Sequence, residues 1–127
     1  MPEFRLGSGS PYEDAFGYSR VVRSGDTAWT AGCTASVGGV VQHEGDAGAQ
    51  ARTAFGVALS ALERVEMTAA DVVHVRMYVR DPADCDAVGL AHHEFFDAVR
   101  PAATMLVISG FVDPAMLVEV ELVAHRH

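Results

Sequence analysis

The chain reads as an α+β domain, a mixed sheet with two amphipathic helices on one of its faces. Three observations predict it. Apolar residues recur at three- and four-residue steps from Ala47 to Val65 and again from Asp84 to Val99, the period of a helix with one buried stripe. Val72–Arg80 and Leu117–Ala124 instead alternate apolar and polar side chains, the period of a strand covered on one side. The 127 residues, half of them apolar, suffice for one core, so residues 1–127 are taken as a single domain.

The first dozen residues, with Gly7, Gly9 and Pro11, read as an irregular arm. Arg20–Arg23 is a short strand, Ser24-Gly25-Asp26 a turn, and Thr27–Ala35 a second strand paired with the first as a hairpin. Gly38-Gly39 turns the chain into a short strand at Val40–His43. The first helix, Ala47–Val65, has Asp46 as its N-cap, and residues 68–71 connect it to the strand Val72–Arg80. On that strand Val73, Val75, Met77 and Val79 are expected on one side, with His74, Arg76, Tyr78 and Arg80 on the other. The second helix, Asp84–Val99, is broken by Arg100-Pro101. Thr104–Ser109 is an apolar strand, residues 111–116 are a loop, and Leu117–Ala124 is the closing strand. Two helices cover one face of such a sheet. The other face carries Glu119, Glu121, Arg76 and Tyr78 among apolar residues, with Cys33 a further candidate for it, and is either solvated or closed by another subunit.

Composition removes several classes of function. The net charge is −8 and the nine basic residues are scattered, which argues against nucleic-acid binding. All nine are arginines; with no lysine, Schiff-base catalysis and a lysine-bound pyridoxal phosphate are excluded. The six histidines form no ligand cluster, and Gly38-Gly39 is a turn rather than a phosphate loop, so neither metal nor cofactor is expected. No apolar run approaches the length of a membrane span and Met1–Ser10 has no signal core, so a cytoplasmic setting with Cys33 and Cys85 as free thiols is expected.

Taken in order, several segments resemble the RidA/YjgF family over essentially the whole chain. They are Tyr18-Ser19-Arg20-Val21-Val22, Ala31-Gly32-Cys33 where the family has Ser-Gly-Gln, Val75–Asp81, His93-Glu94-Phe95-Phe96, Arg100-Pro101-Ala102, and the closing strand. The resemblance implies a chorismate-mutase-like fold and a homotrimer whose sheets form a central barrel with small-molecule clefts between subunits. It also implies hydrolysis of reactive enamines and imines to a keto acid and ammonia, in which an arginine grips the substrate carboxylate. Here Gly110 stands at that position, with Ser109 and Phe111 as neighbours, so the chain is expected in an arginine-lacking branch. A family asparagine on the second helix corresponds to Gly89. Glu119 matches an acidic residue near the family pocket and Tyr18 a tyrosine at the cleft.

The candidate catalytic residues are thus Glu119, Cys33 and His92. Those for substrate binding are Tyr18, Gly32, Arg76, Ser109, Gly110 and Phe111. Each has a plainer reading. Glu119 and Glu121, about 7 Å apart by strand rise, are a structural pair of carboxylates, or Glu119 positions water or transfers a proton. Arg76 is an ion-pair partner of Glu119 or Glu121, or it and Arg100 are the candidates to replace the missing anion clamp. Cys33 is a small buried hydrophobe or a pocket thiol. His92 lies on the apolar side of its helix and is a packed histidine or a general base. Three functions stay open: an enamine or imine hydrolase, a non-catalytic metabolite-binding trimer, and a biosynthetic variant that guides cyclisation or isomerisation.

Overall fold

The computed structural model describes residues 3–127. Val21–Ser24 (β2) and Thr27–Thr30 (β3) form a hairpin turned at Gly25, whose φ of 59° suits a residue without a Cβ. Glu3–Leu6 (β1) pairs antiparallel with β2. The long closing strand Val118–His125 (β8) lies antiparallel between β3 and Val72–Val79 (β6). Ala102–Val107 (β7) runs parallel to β6 at the far edge, giving six strands in the order β1-β2-β3-β8-β6-β7. A separate hairpin, Ser36–Val37 (β4) with Val40–Val41 (β5), turns at Gly38 and Gly39.

The helix Ala47–Glu63 (α2) starts at Asp46, whose Oδ1 accepts from the Ala49 amide at 3.0 Å. Its stripe of Ala51, Ala54, Phe55, Ala58 and Leu62 is fully buried. The helix Cys85–Phe96 (α3) adds Val88, Ala91 and Phe96, and lies beside α2 on the same side of the sheet. Strand β8 supplies the other half of the core. Val118, Val120, Leu122 and Ala124 are buried, while Glu119, Glu121, Val123 and His125 are not. A side chain such as Phe55 contributes roughly 1.5–3 kcal/mol by leaving water. Gln50, buried at the start of α2, bridges from Nε2 to the Ala115 carbonyl (2.9 Å) and accepts from the Leu117 amide (2.9 Å), fixing the loop before β8.

Architecture and strand order around the helices follow the sequence pattern; several details differ. The opening residues are not an irregular arm. They hold β1 and a short helix, Pro11–Phe16 (α1), capped by Ser10 and stopped by Gly17 at φ 77°. Strand β3 ends at Thr30 rather than Ala35, because the chain arches at Ala31-Gly32 before Cys33 rejoins β8 opposite Val120. The short strand after Gly38-Gly39 stops at Val41, and β7 begins two residues earlier than the apolar run indicates. Val73 is exposed and Val72 buried, since a bulge between Val72 and His74 shifts the inward set by one residue.

Candidate functional site

Strand β8 has covered residues on one side, so Glu119 and Glu121 both emerge on the open face of the sheet. They differ in what they meet. Glu121 accepts from Tyr78 Oη at 2.5 Å and pairs with Arg76 Nη1 at 3.5 Å, across the β6–β8 ladder. The half-buried Glu119 carboxylate has no hydrogen bond among the described residues. It lies directly over Gly32: a Cβ built there would stand 2.6 Å from Glu119 Oε2 and 2.7 Å from Cδ. Glycine at position 32 therefore leaves the seat that Glu119 occupies. Burial raises the Glu119 carboxyl above the ordinary carboxylate value, the Glu121 charge raises it further, and Arg20 offsets part of this.

The arch under Glu119 is built by exchanges at both ends. Leu122 N donates to Thr30 Oγ1 (3.0 Å), whereas Cys33 resumes the ladder with Val120 through 2.7 and 2.9 Å backbone bonds. Arg20, just before β2, braces the arch. Its Nη1 donates to the Gly32 carbonyl (2.6 Å) and lies 3.7 Å from Cys33 Sγ; its Nε bonds Glu13 Oε2 at 3.2 Å. Glu13 also accepts from Ser8 N (2.8 Å) and Ser8 Oγ (2.5 Å). Burial pushes the Glu13 carboxyl up, but these bonds outweigh it and the net shift is down. The Tyr18 ring, 40 % exposed, lies 5.7 Å from the Arg20 guanidinium carbon.

Tyr18, Gly32, Cys33 and Glu119 are thus drawn together around Arg20. Cys33 lies in the buried core opposite Val120 rather than on the open face, and burial raises its thiol in spite of Arg20, which leaves it protonated at neutral pH. Arg76 is on the open face, committed to Glu121. Ser109, Gly110 and Phe111 follow β7 at the end of the sheet where Val79 pairs with Val118, the end at which Glu119 sits. Arg100 is exposed and bonds Asp97 Oδ1 at 2.7 Å. His92 is in another place, in the helix layer between Phe55 and Phe96, with ring centroids 5.8 and 4.9 Å away. Its Nε2 is buried without a partner; burial, then His93, lowers its pKa. Among the described residues no group of His, Cys, Asp and Glu could hold a metal ion, and no helix is long and apolar enough to cross a membrane.

The reading of the sequence missed Arg20 and Glu13, because it left α1 as an arm. A signal was present. Ser10, Pro11 and Glu13 stand at N-cap, N1 and N3, the spacing of a helix start.

The open face also carries exposed apolar surface: Trp29 on β3, Val73 on β6 and Leu106 on the edge strand, each 43–49 % exposed. Such a band suits a protein–protein contact.

Comparison with known proteins gives a consistent picture. The family model for Endoribonuclease L-PSP matches residues 11–126. An uncharacterized protein of Streptomyces coelicolor is 43% identical over 122 residues, 96% of this chain and 91% of that one. The 3-aminoacrylate deaminase RutC of Acinetobacter baylyi is 34% identical over 85 residues, 67% of each chain. A crystal structure from Mycobacterium tuberculosis, of a member of the YjgF/YER057c/UK114 family, has a TM-score of 0.87 and 35% identity. It covers 98% of this chain and 100% of that one.

Proposed function

This chain belongs to the Endoribonuclease L-PSP (YjgF) family, and from that premise we propose that it is a RidA-type homotrimer whose inter-subunit clefts bind a small molecule and hydrolyse an enamine or imine. The observation that carries the reading is the Glu119 carboxyl, half-buried, without a hydrogen bond, raised in pKa and seated over Gly32. A carboxyl in that state serves proton transfer at neutral pH. Glu119 in its protonated form gives its proton to the enamine carbon, producing the iminium ion. The resulting carboxylate takes a proton from water as the water oxygen adds to the C=N carbon. Collapse of the carbinolamine releases ammonia and leaves the carbonyl product.

Tyr18 and the Gly32 arch form one wall of the cleft on this reading, and the exposed apolar band from Trp29 to Leu106 is the surface that sister chains cover. His92, set among phenylalanines, supports the fold rather than the reaction. Neither replacement arginine is free: Arg76 is held by Glu121 and Arg100 by Asp97. With Ser109-Gly110-Phe111 where the anion clamp would be, the chain falls in an arginine-lacking branch and its substrate depends less on a carboxylate. A net charge of −8 weighs against ribonuclease activity.

The test is ammonia release from 2-aminoacrylate and 2-iminopropionate generated in situ, and from 3-aminoacrylate, at micromolar protein against buffer. Acceleration that Glu119→Gln abolishes, in a variant that stays trimeric by light scattering, is the expected result. Failure to accelerate any of the three removes the hydrolase. The reading left is then a binding trimer without catalysis, favoured by the absence of a basic residue from Ser109 to Phe111.

A further inference from the structure

A groove of about 450 Å³ runs between α2 and the segment joining β1 to α1. Its polar lining is Ser8, Arg20, Thr53, Ser60 and Arg64, and its floor includes Val57. That volume suits a small metabolite. Its chemistry is unlike the rest of this acidic surface. Arg20 is only 9 % exposed; Nε and Nη1 are used by Glu13, Gly32 and Cys33. Its Nη2 has no partner among the described residues and is not fully buried, so it keeps an accessible N–H edge. Arg64 gives one N–H to the Gly7 carbonyl (2.8 Å) and no other side-chain bond among the described residues. The Thr53 and Ser60 hydroxyls, on the same stripe of α2, make no side-chain hydrogen bond there either.

The carboxylate behind Arg20, Glu13, is 6 % exposed and already receives three hydrogen bonds. Glu13 is the one carboxylate hydrogen-bonded to either guanidinium group, which leaves the groove locally rich in positive charge in a chain of net charge −8. Unused N–H and O–H donors therefore converge over an apolar floor with no acceptor to satisfy them. That is the donor pattern of a site for a planar or tetrahedral oxyanion.

We infer that this groove is a binding site for a small molecule with one oxyanion head, carboxylate or phosphate, and a short apolar body lying over Gly56 and Val57. Arg20 is its buried anchor and Arg64 its outer arm. The site is separate from the Glu119 seat and stands whether or not the chain hydrolyses imines.

The experiment is an amide NMR titration of the full chain with inorganic phosphate in one arm and butyrate in the other, at ionic strength fixed with sodium chloride. Saturable shifts at Thr53, Gly56, Val57 and Ser60 are expected in at least one arm, with Kd below about 10 mM; the arm that saturates identifies the head group. Arg64→Gln should weaken binding by about tenfold or more, Arg64→Lys less. Arg52→Gln, on the same helix but outside the groove, should leave it unchanged. Shifts that stay linear in both arms, or an Arg64→Gln titration matching that of Arg52→Gln, would overturn the site. Unaltered amide shifts outside the groove in Arg64→Gln keep a folding defect from being mistaken for either result.

Discussion

Glu119 and Glu121 leave the same strand on the same side, two residues apart, and meet opposite fates. Glu121 is met by a tyrosine hydroxyl and a guanidinium from β6, and its pair locks two strands together. Glu119 meets a glycine. It is placed against the Ala31-Gly32 arch, partly withdrawn from water and left with no hydrogen bond among the described residues. The first arrangement is what a sheet needs, whereas the second is unfavourable for the fold and useful only if something else completes it. Two like residues two positions apart are thus set apart by what they meet: Tyr78, opposite Glu119, reaches across to Glu121, and Glu119 is left over the glycine.

The sharpest way to break this contrast is to neutralise each in turn. Glu119→Gln should cut hydrolysis by about 10²–10⁴-fold, whereas Glu121→Gln should change it little; ammonia release measures both. Stability should move the other way. The folded-state pKa of Glu119 lies above its ordinary value, so in the interval between the two the folded chain holds more protons than the unfolded one. Stability then falls as pH rises through that window. Glu119→Gln removes this loss, and its advantage over the parent in urea unfolding should grow from acid toward neutral pH.

Gly32→Ala is the next lever. Its methyl would occupy the carboxylate seat and push the half-buried Glu119 side chain aside, costing about 1 kcal/mol or less in stability and most of the hydrolysis. In a Glu119→Ala background the same change should be nearly neutral, and a double-mutant cycle that found no coupling would separate Gly32 from Glu119. Tyr78→Phe should cost about 1.5–3 kcal/mol by removing a charged hydrogen bond from Glu121, with the rate retained.

The smallest effect belongs to His92, which asks whether burial alone makes a site. Its folded pKa is depressed, so its contribution is present above the ordinary histidine value and lost as pH falls through the folded value. His92→Phe should stabilise by about 1 kcal/mol, flatten acid unfolding between pH 6.5 and the folded pKa, and leave ammonia release unchanged.

Periodicity reveals a residue's side of the sheet but not its partner across the strand. That is why β8 and the inward faces of α2 and α3 were legible, as was Arg76 in an ion pair with one of the two glutamates. The choice of Glu121 was not, because it depends on the β6–β8 register and the bulge at Val73. The arch at Gly32 was hidden for a related reason. Thr27–Ala35 is uniformly compatible with strand, and the interruption arises from Thr30 Oγ1 taking an amide that a carbonyl would otherwise accept. Arg20 is concealed by its sequence distance from Glu119 and by a supporting helix of only six residues, too short to show a periodic apolar stripe.

Strand β7 has one neighbour and an outer rim of backbone donors and acceptors with no strand alongside, and no charge interrupts it from Ala102 to Val107. A rim of this kind joins whatever extended segment reaches it first, orderly or not. In the proposed assembly the sister chains take that position, so the melting temperature becomes a function of concentration rather than a constant of the molecule. Dilution would then release single chains with the rim uncovered, and the fall in melting temperature on dilution would measure how much of their stability the sister chains supply.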